Sequence, residues 1–218
     1  EAYISEDNQQ ASMIEVNCET DFVTRNEDFQ SLVEELKQDS INHVCDTMAE
    51  AVSERMEEKM AQIGEKISLR RNVKWVVNGT GAIGSYIHMG GTVGVLIELS
   101  CDKNETISNQ IFKDLLKDLT LHVAAANPEF LSRDDVPSDQ VESEKDIFRK
   151  QLVGKPENII ENILMGKINK YYSQICFLEQ GFVKEEKQSI KNLISEKSKQ
   201  LDDNINVVRY IRYQLGGI

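Results

Sequence analysis

Apolar and polar positions alternate along the first residues of the chain and then recur at helical spacing. Ala2–Ser5 and Ser12–Cys18 read as strands joined by the polar turn Glu6-Asp7-Asn8-Gln9, which is a hairpin signal. A helix is expected over Glu27–Gln38, with Phe29, Leu32, Val33 and Leu36 on one stripe and acidic residues in the first turn. Asp39-Ser40 offers a cap for a second helix, Ile41 to about Gln62. Its apolar face is Val44, Met48, Ala51, Val52, Met56 and Met60, and Gly64 stops it. Ile67–Val77 returns to strand composition.

The segment beginning at residue 84 repeats this pattern. Shifted by 83 residues without a gap, Tyr3-Ile4 falls on Tyr86-Ile87, Ile14-Glu15 on Ile97-Glu98, and Cys18 on Cys101. Asn26, Phe29, Leu32 and Leu36 fall on Asn109, Phe112, Leu115 and Leu119, giving 9 identities over 35 positions. We read this as an internal duplication, each unit being strand, turn, strand, loop and helix. The expected class is α+β, with two related subdomains of antiparallel hairpin strands backed by helices. The boundaries expected are 1–83 and 84–218.

After Asn127-Pro128-Glu129 the second unit departs from the first. Residues 139–153 and 157–172 are expected to be helices around a break at Gly154-Lys155-Pro156, forming an antiparallel helical hairpin inserted at about 138–175. Gln174–Phe182 reads as extended and Lys187–Gln200 as helix. Ile205–Leu215 reads as a strand that closes the second unit as Ile67–Val77 closes the first.

Phe22 fits neither period. It stands in the strand-to-helix connection beside Asp21, and the local pattern favours a core residue tucked under the loop. The other reading is a wedge presented to a partner, since connecting loops often carry function. In the second copy Thr20-Asp21-Phe22-Val23 is replaced by Lys103-Asn104-Glu105-Thr106. The fold therefore does without the aromatic, which moves the reading toward a site grafted onto one copy.

Composition narrows the classes. The net charge is −12, and all of it lies in residues 1–60, with 16 acidic and 4 basic side chains; residues 61–218 hold 21 of each. Clustered cations for phosphate are lacking, so no direct nucleic-acid contact is expected; the acidic half suits either a basic protein surface or a solvated face that aids solubility, and charge alone does not separate the two. No apolar run approaches the ~18–20 residues of a membrane span. Cys18, Cys45, Cys101 and Cys176 lack metal-type spacing and read as reduced, buried thiols. Gly79-Thr80-Gly81-Ala82-Ile83-Gly84 matches a dinucleotide fingerprint on paper, but a strand follows it, so it reads as a glycine-rich turn. Neither a catalytic motif nor a cofactor is expected. The chain begins inside a strand with no initiator Met, so a piece of a longer protein is expected.

Glu15-Val16-Asn17-Cys18-Glu19-Thr20-Asp21-Phe22-Val23 resembles the signature of the translation elongation factor Ts family. Ala61-Gln62-Ile63-Gly64-Glu65-Lys66-Ile67, Leu69-Arg70-Arg71, Gly84-Ser85-Tyr86-Ile87-His88, Leu121-His122-Val123-Ala124-Ala125 and Asn127-Pro128-Glu129-Phe130 follow in the family's order. The resemblance implies a guanine-nucleotide exchange factor for elongation factor Tu, with no bond-making chemistry of its own. It implies that Thr20, Asp21, Phe22 and Val23 intrude on the partner's G domain and dislodge Mg²⁺ beside GDP. Ile63, Gly64 and His88 match further partner contacts, and the helical hairpin matches a module used by some members for self-association. The bacterial cytoplasm is the location implied, with a mitochondrion or plastid as the alternative. Thr92 stands where many members have Lys or Arg, and the family's N-terminal ubiquitin-associated-like domain has no counterpart here. The runner-up is a structural or ribosome-associated relative that does not exchange nucleotide.

Overall fold

A computed structural model describes residues 1–43, 45–152 and 156–217. In the first half, β1 (Ala2–Ile4) and β2 (Gln10–Cys18) form a hairpin, followed by α1 (Glu27–Ser40), α2 (Cys45–Ala51), α3 (Ser53–Ile63) and β3 (Ile67–Val76). The second half runs β4 (Gly81–His88), β5 (Val93–Ser100), α4 (Asn104–Ser108) and α5 (Gln110–Ala126). Then come α6 (Ser138–Lys150), α7 (Glu157–Ile175), the short pair β6 (Gly181–Phe182) and β7 (Glu185–Ser189), α8 (Ile190–Leu201) and β8 (Asn206–Gln214). The main sheets are antiparallel, in the orders β1-β2-β3 and β4-β5-β8, so the class is α+β with a duplicated body.

The duplication extends to register. Tyr3 lies opposite Ser12, and Tyr86 opposite Val95; both pairs obey the 83-residue shift. Each central strand carries a bulge at the same place, between Glu15 and Val16 in β2 and between Glu98 and Leu99 in β5. The closing strands match as well. Gln10 pairs with Val76 and Val93 with Gln214, while Glu15 faces Arg71 and Glu98 faces Arg209.

Alternation on β2 and β5 decides the layers. Ile14 points to a core built from Val23, Phe29, Leu32, Leu36, Met48, Val52 and Met56. Its counterpart Ile97 points to a core with Phe112, Leu115, Leu119, Val123 and Phe177. The intervening Met13 and Leu96 turn the other way and meet Ala11, Trp75, Ile83 and Tyr213 in a seam between the sheets. The order of layers is thus helices, sheet, sheet, helices. Side chains approach closely across the seam: a Cβ on Gly94 would lie 2.7 Å from Met13 Sδ.

Ion pairs within each sheet hold the arginines that reach across the same seam. Arg71 Nε donates to Glu15 Oε2 at 2.6 Å, and Arg209 Nε donates to Glu98 Oε2 at 2.7 Å. Each arginine then stacks on an aromatic ring of the opposite half: Arg71 over Tyr213 at 4.1 Å and Arg209 over Trp75 at 4.4 Å. Glu15 is buried, which by itself raises its pKa, but donors from Arg70 and Arg71 reverse this and hold the carboxyl below its ordinary value.

Several expectations need correction. Asp39-Ser40 does not cap a second helix: α1 runs through Ser40, whose buried hydroxyl donates to Lys37 O at 2.6 Å and meets that of Ser12. The expected second helix is two, broken at Val52 (φ −106°, ψ 0°). Val52 stays buried, so the apolar stripe continues across the break. Val44, the side chain of Cys45 and the Gly154-Lys155 break lie outside the described residues. Gln174–Phe182 is not one extended run: α7 reaches Ile175, a 3-10 turn spans Phe177–Glu179, and only Gly181–Phe182 is strand. Residues Glu185–Ser189 are strand where helix was expected from Lys187. Cys101 and Cys176 are buried free thiols, whereas Cys18 is half-buried.

The helices α6 and α7 pack antiparallel, with Gln140 reaching Tyr171 and Arg149 reaching Glu161. Arg133 fastens the base of this hairpin through Glu179 (2.8 and 2.7 Å) and Asn169 (3.0 Å), with its guanidinium over the Tyr172 ring.

Candidate functional site

The connection from β2 to α1 is pinned from both ends. At its start, the Thr20 backbone N–H donates to Glu65 Oε2 at 3.1 Å and its hydroxyl donates to Glu65 Oε1 at 2.7 Å. The Cys18 thiol donates to Thr20 O at 3.2 Å. Burial and the nearby Glu65 charge raise the Cys18 pKa, so the thiol keeps the proton this bond uses. Further on, the Thr24 hydroxyl donates to Asp21 O at 2.6 Å, and Val23 drops into the helical core with 7% exposure. Asn26 closes the loop as N-cap of α1, its Oδ1 accepting from Asp28 N at 2.7 Å and Phe29 N at 3.4 Å.

Phe22 stands outside this framework, 79% exposed, the largest exposure of a large apolar side chain among the described residues. The reading of Phe22 as a core residue is therefore corrected. The 3-10 turn at Val23–Arg25 explains it, because only the Val23 direction meets the core. In the second copy Thr106 is buried where Val23 is and Glu105 is exposed where Phe22 is. Both copies direct that position outward, and only the first fills it with an aromatic ring. Asp21 is exposed beside it.

Ile63 and Gly64 end α3. Ile63 packs partly on the first helical core, and Gly64 closes the helix at φ 81° with its N–H donating to Met60 O at 2.9 Å. Glu65 follows directly, so its bonds to Thr20 set Ile63-Gly64 beside the Asp21-Phe22 loop. His88 belongs to the other half, at the end of β4. Its Nδ1 shares a hydrogen bond of 2.8 Å with the Tyr86 hydroxyl. A cleft of about 880 Å³ lies between the loop and the β4–β5 hairpin, and Phe22, Ile63, Gly64 and His88 are not among the residues that line it. Thr20, Asp21, Thr24 and Arg25 line one wall, and Ile87, Met89, Gly90 and Thr92 line the other.

Sequence reasoning missed two residues here. Glu65 was noted only as part of a helix end, and its partner Thr20 is too distant in sequence to suggest the bond. Met89 is 75% exposed at the tip of the β4–β5 hairpin and adopts φ 48°, a left-handed conformation rare for a residue with a long side chain. A non-glycine immediately before Gly90-Gly91 was the available signal.

Chemically the loop offers an apolar ring and a carboxylate on a fastened backbone. Among the described residues no group of three or more His, Cys, Asp or Glu is arranged to hold a metal ion, and no helix is long and apolar enough to cross a membrane. An exposed ring on an ordered loop has the physical properties of an interface anchor.

The family model described as Elongation factor TS matches residues 19–217. The chain is 41% identical over 228 residues to Elongation factor Ts of a Nitratiruptor species, covering 98% of this chain and 73% of that protein. It is 39% identical over 226 residues to Elongation factor Ts of a Clostridium botulinum strain, with the same coverage. Elongation factor Ts of Trichlorobacter lovleyi is 40% identical over 218 residues, covering 94% and 70%. The duplicated α+β body and its loop thus define a protein of translation elongation. The chain belongs to the elongation factor Ts family.

Proposed function

We propose that this chain is a guanine-nucleotide exchange factor that binds elongation factor Tu carrying GDP, displaces its Mg²⁺ and speeds release of the nucleotide. The observation that carries the reading is Phe22, exposed on a loop whose two ends are bonded down. A ring held this way loses little freedom on docking, so more of its burial energy is available to deform a partner. Mg²⁺ demands near-ideal octahedral geometry, so a small shift of the partner's supporting loop weakens both metal and nucleotide. Asp21 adds a negative charge next to the wedge. Because linkage is reciprocal, the factor binds the nucleotide-free partner more tightly than the GDP form, and GTP then displaces it.

In this reading Thr20, Asp21, Phe22 and Val23 form the intruding element, with Val23 acting from beneath as its anchor in the core. Ile63, Gly64 and His88 add contacts on either side. No covalent bond changes hands and no cofactor is held. The partner is a protein, nucleic acid is not contacted directly, and the work is done in the bacterial cytoplasm. Residues 1–83 and 84–218 act as two subdomains, and the hairpin at about 138–175 is a candidate for homodimerisation through exposed Ile147, Ile159 and Met165.

Stopped-flow release of a fluorescent GDP from elongation factor Tu tests the reading. Catalytic amounts of this protein should raise the release rate, and an unchanged rate would overturn the proposal.

A further inference from the structure

Resting on that function, the structure assigns Glu65 as a positioning residue of exchange: its carboxylate clamps Thr20 and holds the Asp21-Phe22 loop in its docking form. Both oxygens are engaged by one residue, Oε2 by the Thr20 N–H at 3.1 Å and Oε1 by its hydroxyl at 2.7 Å. Such charge-assisted bonds are stronger than neutral ones, and two on one residue leave Thr20 little freedom. Phe22 is only two residues further on. The clamp also joins two sites that lie far apart in sequence, because Glu65 directly follows Gly64 at the end of α3.

The duplicated half shows that the clamp is part of the fold. Asp203 precedes β8 as Glu65 precedes β3. It accepts from the backbone N–H of Asp102 at 3.0 Å and of Lys103 at 3.2 Å, and from the Thr106 hydroxyl. Thiols match too, with Cys101 donating to Lys103 O as Cys18 donates to Thr20 O. The second clamp holds a loop whose outward residue is Glu105. One scaffold device is thus present twice, and only one copy carries a wedge.

The test uses Glu65→Gln, which keeps the shape and loses one acceptor, together with Thr20→Val and the control Asp203→Asn. Glu65→Gln should release GDP about 5- to 10-fold more slowly at sub-saturating factor, the scale of about one ordinary net hydrogen bond. Amide hydrogen exchange at Thr20–Val23 should become faster. The double variant Glu65→Gln/Thr20→Val should be no slower than the worse single variant, because both changes open the same clamp. Asp203→Asn should loosen residues 102–106 and leave GDP release at the wild-type rate. Multiplicative losses in the double variant would mean that Glu65 touches the partner itself and would overturn positioning. Wild-type release by Glu65→Gln, while Phe22→Ala is impaired, would overturn the inference and spare the function. If the wild-type protein did not speed release, the function would fall and the positioning role with it. Hydrogen exchange would still read the clamp alone, and unchanged exchange at Thr20–Val23 in Glu65→Gln would refute it.

Discussion

Truncating Phe22 to alanine separates binding from folding. The ring is 79% exposed, so removing it leaves no cavity, and folding stability should move by no more than about 0.5 kcal/mol, the usual range for surface positions. Docking is another matter. A phenylalanine side chain carries on the order of 100 Å² of apolar area beyond alanine, which at about 25 cal/mol per Å² is roughly 2.5 kcal/mol when buried in a partner. Interface anchors typically lose ~2 kcal/mol or more on truncation, in agreement with this figure. The expected consequence is a drop of about 30- to 150-fold in the efficiency of GDP release. Stopped-flow fluorescence across a range of factor concentrations gives that number, and a thermal melt of the same preparation gives the stability. Full activity in Phe22→Ala would refute the wedge. A lost activity accompanied by a large fall in melting temperature would refute the account as well, because it would make the ring structural.

Other consequences follow from the body of the fold. Asn26 and Asn109 cap α1 and α5 in equivalent ways, so alanine at either should cost about 1 kcal/mol, read as a lowered melting temperature. Gly81 faces the carbonyl of Leu99, and a Cβ there would lie 2.2 Å from that oxygen, so Gly81→Ala should cost about 1–3 kcal/mol, seen as a lower urea midpoint with an unchanged m-value. His122 is fully buried, accepting at Nδ1 from Val183 N and sharing its Nε2 with Gln180 Oε1. Burial lowers its pKa from 6.5, with the Gln180 bond opposing more weakly, so the unfolded chain takes up a proton first as pH falls. The stability His122 supplies is therefore complete well above pH 6.5 and is lost as pH drops below it. Urea midpoints measured from about pH 7.5 down to about pH 5.5 should fall, and His122→Gln should flatten that dependence.

Much of the fold was legible because the duplication repeats local chemistry. Asn26 and Asn109 as caps, Phe29 and Phe112 as core, and the hairpin turns all follow from short-range pattern. The outward placement of Phe22 was legible for the same reason: comparison with Asn104-Glu105 showed an aromatic that the fold does not require. What stayed hidden depends on distant neighbours. Ser40 reads as a cap, yet its hydroxyl is taken by Lys37 O within α1 and by Ser12 on the strand β2 that α1 packs against. Val52 fits a continuous helical stripe, and nothing local marks the break there. Glu185–Ser189 is too polar to read as strand, and it forms one because Phe182 and Gly181 offer it a partner. Glu65 and Thr20 are separated by 45 residues, so their bond appears only once β3 lies beside β2. The closing strand β8 shares the register of β3, which supports reading Ile205–Leu215 as the counterpart of Ile67–Val77.

The crossed arginines at the seam carry a mechanical meaning. A tool that deforms another object must be the stiffer of the two, or the strain returns to the tool. Any push delivered through Phe22 in the proposed exchange runs back along β2 toward the junction, where an arginine from each half stacks on a ring of the other, Arg71 on Tyr213 and Arg209 on Trp75. Under the proposed function, stacks reaching both ways across the seam resist sliding of one half on the other, which leaves more of the displacement to the partner.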